Sequence, residues 1–379
     1  MTTALPLATA RQDLWTGPVI DVDVHANVPS IEVLYPYLDG MWVDWMVERG
    51  YKGPSGAATH YPPMSPRSCR PEWRVDGRAP ASSVELLQEQ LLDPWDVQYA
   101  ILNCYYGVDS LRHPDWAAAL ARAVNDWIAN EWLARDPRLR ASLIVPARDP
   151  AAMIAEIDRI GDHPGFVQVL LPARNDWLWG MRPFHPVFKA IERHDLVAGL
   201  HMGGTSDGAP SSTGYASWYI EQYSAEWSSF ASQITNIISE GVFNVCPNLR
   251  MSVLEGGFLW VPVWGWRMNK EWRGLHREVP WVNQPPLDII RQHMRFSTAP
   301  TDAGPPELTR KAIGWLGSDD FLMFATDYPH GYDDDLPGLL SLLSENARGN
   351  MMAETARQWY RLCAADTETE GRSSDSSPS

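Results

Sequence analysis

Pro18-Val19-Ile20-Asp21-Val22-Asp23-Val24-His25 is an apolar, β-branched run that ends in a carboxylate and an imidazole two residues apart. In a strand, residues i and i+2 share a face. Asp23 and His25 therefore point the same way at the strand's C-terminal end. Two further runs end alike: Val197-Ala198-Gly199-Leu200-His201, and Phe321-Leu322-Met323-Phe324-Ala325-Thr326-Asp327. Three distant strand ends, each carrying a nitrogen or oxygen donor, suggest one site at one end of a parallel barrel. Two imidazoles and two carboxylates suit Zn²⁺ or a similar divalent ion.

Working outward, strand-like runs alternate with helical patterns, the signature of βα units around a parallel sheet. Eight strands are expected, at 19–24, 97–103, 141–146, 166–171, 197–201, 250–255, 293–298 and 321–327, and eight is the number that closes a barrel. The clearest helix runs from Pro114 to Ala134, with Trp116, Leu120, Val124, Trp127, Ile128 and Trp132 at three- or four-residue spacing. Asp149-Pro150 reads as an N-cap followed by proline at the first helical position. The expected fold is α/β: a (β/α)8 TIM barrel over residues 18–365, preceded by an irregular leader at 1–17. A long insertion follows strand 1, and a polar, Ser-rich, disordered C-terminal tail closes the chain at 366–379. The Gly/Pro/Ser-rich stretches 40–80 and 203–217 follow the first and fifth strands, where barrel loops line the active face.

Composition narrows the function. The net charge of −16, from 47 acidic and 31 basic residues without a basic run, argues against nucleic acid and anionic membranes as partners. The longest strongly apolar run, Phe258 to Trp266, contains Pro262 and Gly265 and is too short to span a bilayer. Cys69, Cys104, Cys246 and Cys363 are widely spaced with no CxxC pair, as in a reduced cytoplasmic protein. A small-molecule substrate and, from the prevalence of twofold oligomers, a homodimer are the partners expected.

Four motifs together resemble the amidohydrolase superfamily, in the branch containing aminocarboxymuconate-semialdehyde decarboxylase and related "amidohydrolase 2" proteins. They are Ile20-Asp21-Val22-Asp23-Val24-His25; Leu200-His201-Met202-Gly203-Gly204; Pro247-Asn248-Leu249-Arg250 running into Leu254-Glu255-Gly256-Gly257; and Phe324-Ala325-Thr326-Asp327-Tyr328-Pro329-His330. The resemblance implies a (β/α)8 barrel with one catalytic divalent metal, held by Asp23, His25, His201 and Asp327. It implies Zn²⁺ first, with Mn²⁺ or Fe²⁺ able to use the same donors. Asp21 shares the face of Asp23 and His25 and is read as supporting them. The family's decarboxylases carry a catalytic His on the sixth strand, where this chain has Glu255. The fourth strand lacks the lysine that bridges two metals in binuclear relatives, so a single ion is expected.

The leading expectation is therefore a metal-dependent hydrolase acting on a small cyclic or aromatic amide, lactone or acid. Asp327 would move the proton of a metal-activated water, with Glu255 and His330 orienting substrate or relaying protons. The alternative is a non-oxidative decarboxylase of an aromatic or unsaturated carboxylic acid, with Arg67, Arg70 or Arg74 taking the carboxylate and Asp327 protonating carbon. A ligand-binding barrel without turnover is the competing class. His60, in the long first loop, and Trp177 and Trp179, after strand four, are further candidates for the substrate pocket.

Overall fold

The computed structural model describes residues 15–54, 65–104, 106–204, 214, 216–332 and 334–363. The expected tail, residues 1–14 of the leader, His60 and residues 205–213 of the fifth-strand loop lie outside the described residues. Eight parallel strands follow in chain order: β1 (Val19–His25), β2 (Val97–Asn103), β3 (Leu139–Leu143), β4 (Phe166–Arg174), β5 (Val197–Gly204), β6 (Arg250–Leu254), β7 (Met294–Ser297) and β8 (Leu322–Met323). Each pairs with the next. The barrel closes where Val22 N–H donates to Phe324 O at 3.0 Å and His25 N–H donates to Tyr328 O at 2.8 Å. The principal helices between strands are α1 (Pro114–Ile128), α2 (Pro150–Ile160), α3 (His185–Arg193), α4 (Trp227–Ser239), α5 (Val261–Leu275) and α6 (Pro306–Leu316), with a closing α7 (Thr355–Trp359).

Local sequence explains these elements. In α1 the expected stripe Trp116, Leu120, Val124, Trp127 and Ile128 is buried, and each such side chain contributes roughly 1.5–3 kcal/mol by leaving water. The helix continues through Leu133 as a wider turn that buries Trp132. Asp149 caps α2, accepting from the N–H groups of Ala151 and Ala152. Beneath this apolar shell, the barrel interior is polar: Asp21, Asp23, Asn103, Ser142, Gln168, His201 and Ser252 are all buried.

Four strands differ from expectation by more than a residue: β4 and β5 run three residues further, to Arg174 and Gly204, while β3 and β8 end early. β3 spans 139–143 rather than 141–146 because the Asn125 side chain takes over the backbone of Ile144, accepting its N–H at 2.8 Å and donating to its O at 2.9 Å. β8 keeps a regular ladder only at Leu322–Met323, because the next three N–H groups leave it: Phe324 donates to Met351 O at 2.8 Å, Ala325 to the Thr298 hydroxyl at 3.1 Å and Thr326 to the Asp21 carboxylate at 3.1 Å. Among the described residues, no helix is long and apolar enough to cross a membrane.

Candidate metal centre and substrate cavity

Strand alternation sets the site. Asp23 and His25 reach the mouth from β1, His201 from β5, Glu255 just past β6, and Asp327 and His330 just past β8. The donor atoms of Asp23, His25 and His201 lie within 4.8 Å of one another, as do those of His25, Asp327 and His330. The four expected donors thus fall into two groups that share His25, and His330 joins the second.

The surrounding bonds fix how each donor faces. His25 Nδ1–H donates to Asn103 O at 3.1 Å and turns Nε2 toward Asp327 Oδ1 at 2.8 Å. His201 Nδ1–H donates to Met202 O at 2.7 Å and turns Nε2 toward Asp23 Oδ1 at 3.1 Å. Carbonyl-anchored imidazoles of this kind present Nε2 as the metal-binding nitrogen. Asn103 Nδ2–H donates to Asp23 Oδ1 at 2.8 Å. Asp21 accepts from Asp23 N–H, Thr326 N–H and the Thr326 hydroxyl, tying β1 to the β8 loop. Burial pushes the Asp21 acid up to about 7 against those bonds.

A divalent cation fits these residues on two grounds. Asp23 Oδ2 is buried without a hydrogen-bond partner, a costly arrangement unless another group satisfies it. Each neutral imidazole with its Nδ1–H committed would set an Nε2 lone pair against a carboxylate oxygen, and a shared cation removes that repulsion.

Charge and backbone strain concentrate here. Burial opposes ionisation of Asp327, but the His330 imidazole, its hydrogen bond to Asp327 and the neighbouring His25 outweigh it and hold the acid below the usual carboxylate range. Burial and the Asp327 charge push the Glu255 acid up. Glu255 and Asp327 both take left-handed backbone conformations, at φ 58° and 53°. Such strain in non-glycine residues persists where surroundings impose it, commonly at functional sites.

Beside the donors, Arg67, Tyr223, Glu226, Glu255, Asp302, Tyr332 and Asp334 line a cavity of about 490 Å³. The Tyr332 hydroxyl donates to Glu255 Oε1, and the Tyr223 hydroxyl donates to Tyr332 Oη at 2.7 Å with Glu255 Oε1 3.3 Å away. Arg67 lies over both tyrosine rings, 5.2 Å from Tyr223 and 4.9 Å from Tyr332. Of the other arginine candidates, Arg70 donates to His330 O at 3.3 Å, and Arg74 is turned into its own loop, donating to Ser65 O at 2.8 Å. Trp177 and Trp179 are not among the cavity's lining residues: both rings pack on Phe184, and Trp179 Nε1–H donates to Pro172 O. Sequence reading missed Asn103, Tyr223 and Tyr332. Asn103 carried a usable signal, since it ends an apolar run as His201 and Asp327 do.

The family model for amidohydrolases matches residues 20–362. The chain belongs to the amidohydrolase family. Gamma-resorcylate decarboxylase from Rhizobium sp. (strain MTP-10005) is 24% identical over 325 residues, covering 76% of this chain and 94% of that protein. The enzyme of the same name from Rhodococcus jostii is 24% identical over 281 residues, covering 67% and 82%. Among solved structures, a dihydroxybenzoic acid decarboxylase from Polaromonas sp. JS666, with bound manganese and the inhibitor 2-nitroresorcinol, superposes with a TM-score of 0.65 at 18% identity, covering 92% of this chain and 98% of that one. The shared fold is a (β/α)8 barrel.

These relatives correct the expectation of a hydrolase, because the curated proteins that match the chain are carboxy-lyases. The physical reason is that the same donor set serves both chemistries: a cation that polarises a scissile carbonyl also draws charge from a carboxylate.

Proposed function

We propose that this amidohydrolase-family protein is a metal-dependent, non-oxidative decarboxylase of an aromatic acid with a hydroxyl group ortho to its carboxylate. The observation that carries the reading is the match to gamma-resorcylate decarboxylases over 76% of the chain. The donor cluster beside a cavity walled by Arg67, Glu255 and two tyrosines supports it. Asp23, His25, His201 and Asp327 would hold one divalent ion. Mn²⁺ is favoured over the Zn²⁺ first expected because relatives of the same fold carry manganese. When bound, the ion would supply Lewis-acid polarisation of the substrate's carboxylate and ortho oxygen.

The chain's own residues do the rest. Arg67 orients the anionic substrate in the cavity. His330 Nδ1–H, 3.1 Å from both Asp327 oxygens, delivers a proton to the Asp327 carboxyl. Asp327 passes it to the ring carbon as the bond to the carboxylate breaks, its electron pair forms the new C–H bond, and CO₂ leaves. Glu255 stands where the family's decarboxylases have His, and as a buried carboxyl pushed up from its ordinary range it would exchange a proton with the ortho hydroxyl. Tyr332 and Tyr223 keep its Oε1 in place. The functional unit proposed is residues 18–365, acting as a homodimer in a reducing compartment, where Cys69, Cys104, Cys246 and Cys363 stay free.

The test is CO₂ release from 2,6-dihydroxybenzoate and other 2-hydroxybenzoates by protein loaded with Mn²⁺ or Zn²⁺. Release abolished by chelation and restored by one of the two metals is expected. Turnover without CO₂, or CO₂ release indifferent to chelation, would overturn the reading.

A further inference from the structure

The barrel interior carries a second feature, running from the closing helix to the mouth. Tyr360 follows α7 and is buried. Ser252 Oγ and Tyr360 Oη are 2.7 Å apart, and Tyr360 O–H donates to Gln168 Oε1 at 2.9 Å. Gln168 Nε2–H donates to Ser142 Oγ at 2.8 Å, and Ser142 O–H donates to Asn103 Oδ1 at 2.6 Å. Asn103 Nδ2–H then donates to Asp23 Oδ1 at 2.8 Å. The residues come from β6, the segment after α7, β4, β3, β2 and β1. Glycine at 199 makes room for the chain, since a Cβ there would sit 2.3 Å from Gln168 Cδ.

The direction of these bonds is determined from one end. A ligand carboxylate only accepts, so Asn103 must present its amide N–H₂ to Asp23. Its carbonyl then faces Ser142, whose hydroxyl must donate. Ser142 oxygen accepts from the Gln168 amide, and Gln168 carbonyl accepts from Tyr360. Every hydrogen points toward Asp23, and aligned donors of this kind polarise one another.

We propose that Tyr360, Gln168 and Ser142 are positioning residues for Asp23: they lock the Asn103 amide so that it holds Asp23 Oδ1 and leaves Oδ2 for the cation. The inference rests on the metal centre proposed above. Tyr360 fixes which end of the Gln168 amide faces Ser142. Without that bond Gln168 can turn over, the Ser142 hydroxyl gains a competing acceptor, and Asn103 Oδ1 loses the donor that holds its amide firmly against Asp23.

Metal affinity of the metal-free protein tests this, by Mn²⁺ titration with electron paramagnetic resonance and by chelator competition, alongside thermal melts. Tyr360→Phe keeps the ring and its packing, Gln168→Met keeps the volume, and Ser142→Ala removes one oxygen. Supporting bonds around metal ligands are typically worth roughly 10- to 100-fold in affinity. Losses of about tenfold for Ser142→Ala and Gln168→Met, and a smaller loss for Tyr360→Phe, are expected. Lowered melting temperatures with Mn²⁺ affinity unchanged in all three would overturn the proposal and leave these residues as packing. Wild-type protein that binds neither Mn²⁺ nor Zn²⁺ would overturn the metal centre and this inference with it. If the two larger changes prevent folding, Tyr360→Phe alone decides, since only the positioning role lowers its affinity.

Discussion

On the β2–β4 side of the barrel mouth, Cys104, Val108, Ile144, Val145 and Leu170 close around a cavity of about 20 Å³. On the side of β6 and the β8 loop, Arg67, Glu255, Asp302, Tyr332 and Asp334 line one of about 490 Å³. Both regions lie at strand C-termini, yet their backbones differ as much as their chemistry. The left-handed turn on the quiet side falls on Gly107, at φ 76°, where it costs little. On the other side it falls on Glu255, Asp302 and Asp327, where a side chain pays for the conformation. The thiol of Cys104 is pushed up to about 12 by burial, so this thiol is no nucleophile near neutral pH. One half of the mouth is built as a wall, and the other keeps strained, titratable groups around open space.

The comparison breaks most severely if His201→Ala leaves activity intact. Losing an imidazole donor removes several kcal/mol of charge stabilisation, so CO₂ release should fall by on the order of a thousandfold and bound metal should be lost, as read by ICP mass spectrometry. Tyr332→Phe deletes one donor to the Glu255 carboxylate. A hydrogen bond to a charged group is worth roughly 1.5–3 kcal/mol, so a drop of about 10- to 100-fold in kcat/KM is expected while metal content holds. Arg67→Ala should act mainly on binding, raising KM by roughly tenfold with kcat little changed. Equal falls in kcat for both variants would place Arg67 in the chemical step.

The smallest effect on turnover is expected from the quiet side. Burial raises the Asp109 acid from 3.8 to about 6, with Arg148 and Arg174 opposing it. A carboxyl raised in the folded state stabilises fully below its unfolded value, and that contribution is lost as pH rises through the folded one. Asp109→Asn should therefore gain stability relative to wild type between about pH 4 and pH 7, by up to about 3 kcal/mol, in denaturant titrations at each pH. A difference that stays flat across that range would show that Asp109 is not held in the way its burial implies.

Most of the barrel was legible because its strands are β-branched or apolar runs, and at the site three such runs end in a polar residue: Val19 to His25, Val197 to His201 and Phe321 to Asp327. That pattern located Asp23, His25, His201 and Asp327, and the structure draws them together in two overlapping groups around His25. Where β3 ends was hidden, because Asn125, on a helix before it, supplies the competing bonds to Ile144. Tyr223 and Tyr332 were missed for a related reason. One lies on the short helix Tyr219–Ala225 and the other in the β8 loop, and only folding brings their hydroxyls to Glu255. The choice of reaction was illegible in principle, since hydrolysis and decarboxylation ask for the same donors. The relatives, not the strand-end pattern, moved the reading to decarboxylation.

The most direct measurement is NMR of the product formed from 2,6-dihydroxybenzoate by metal-loaded protein in D₂O. Decarboxylation places one deuterium on the ring carbon that carried the carboxylate, and this should be lost together with turnover in Asp327→Asn. A product that keeps its carboxylate, or that takes oxygen from labelled water in place of ring deuterium, would contradict it.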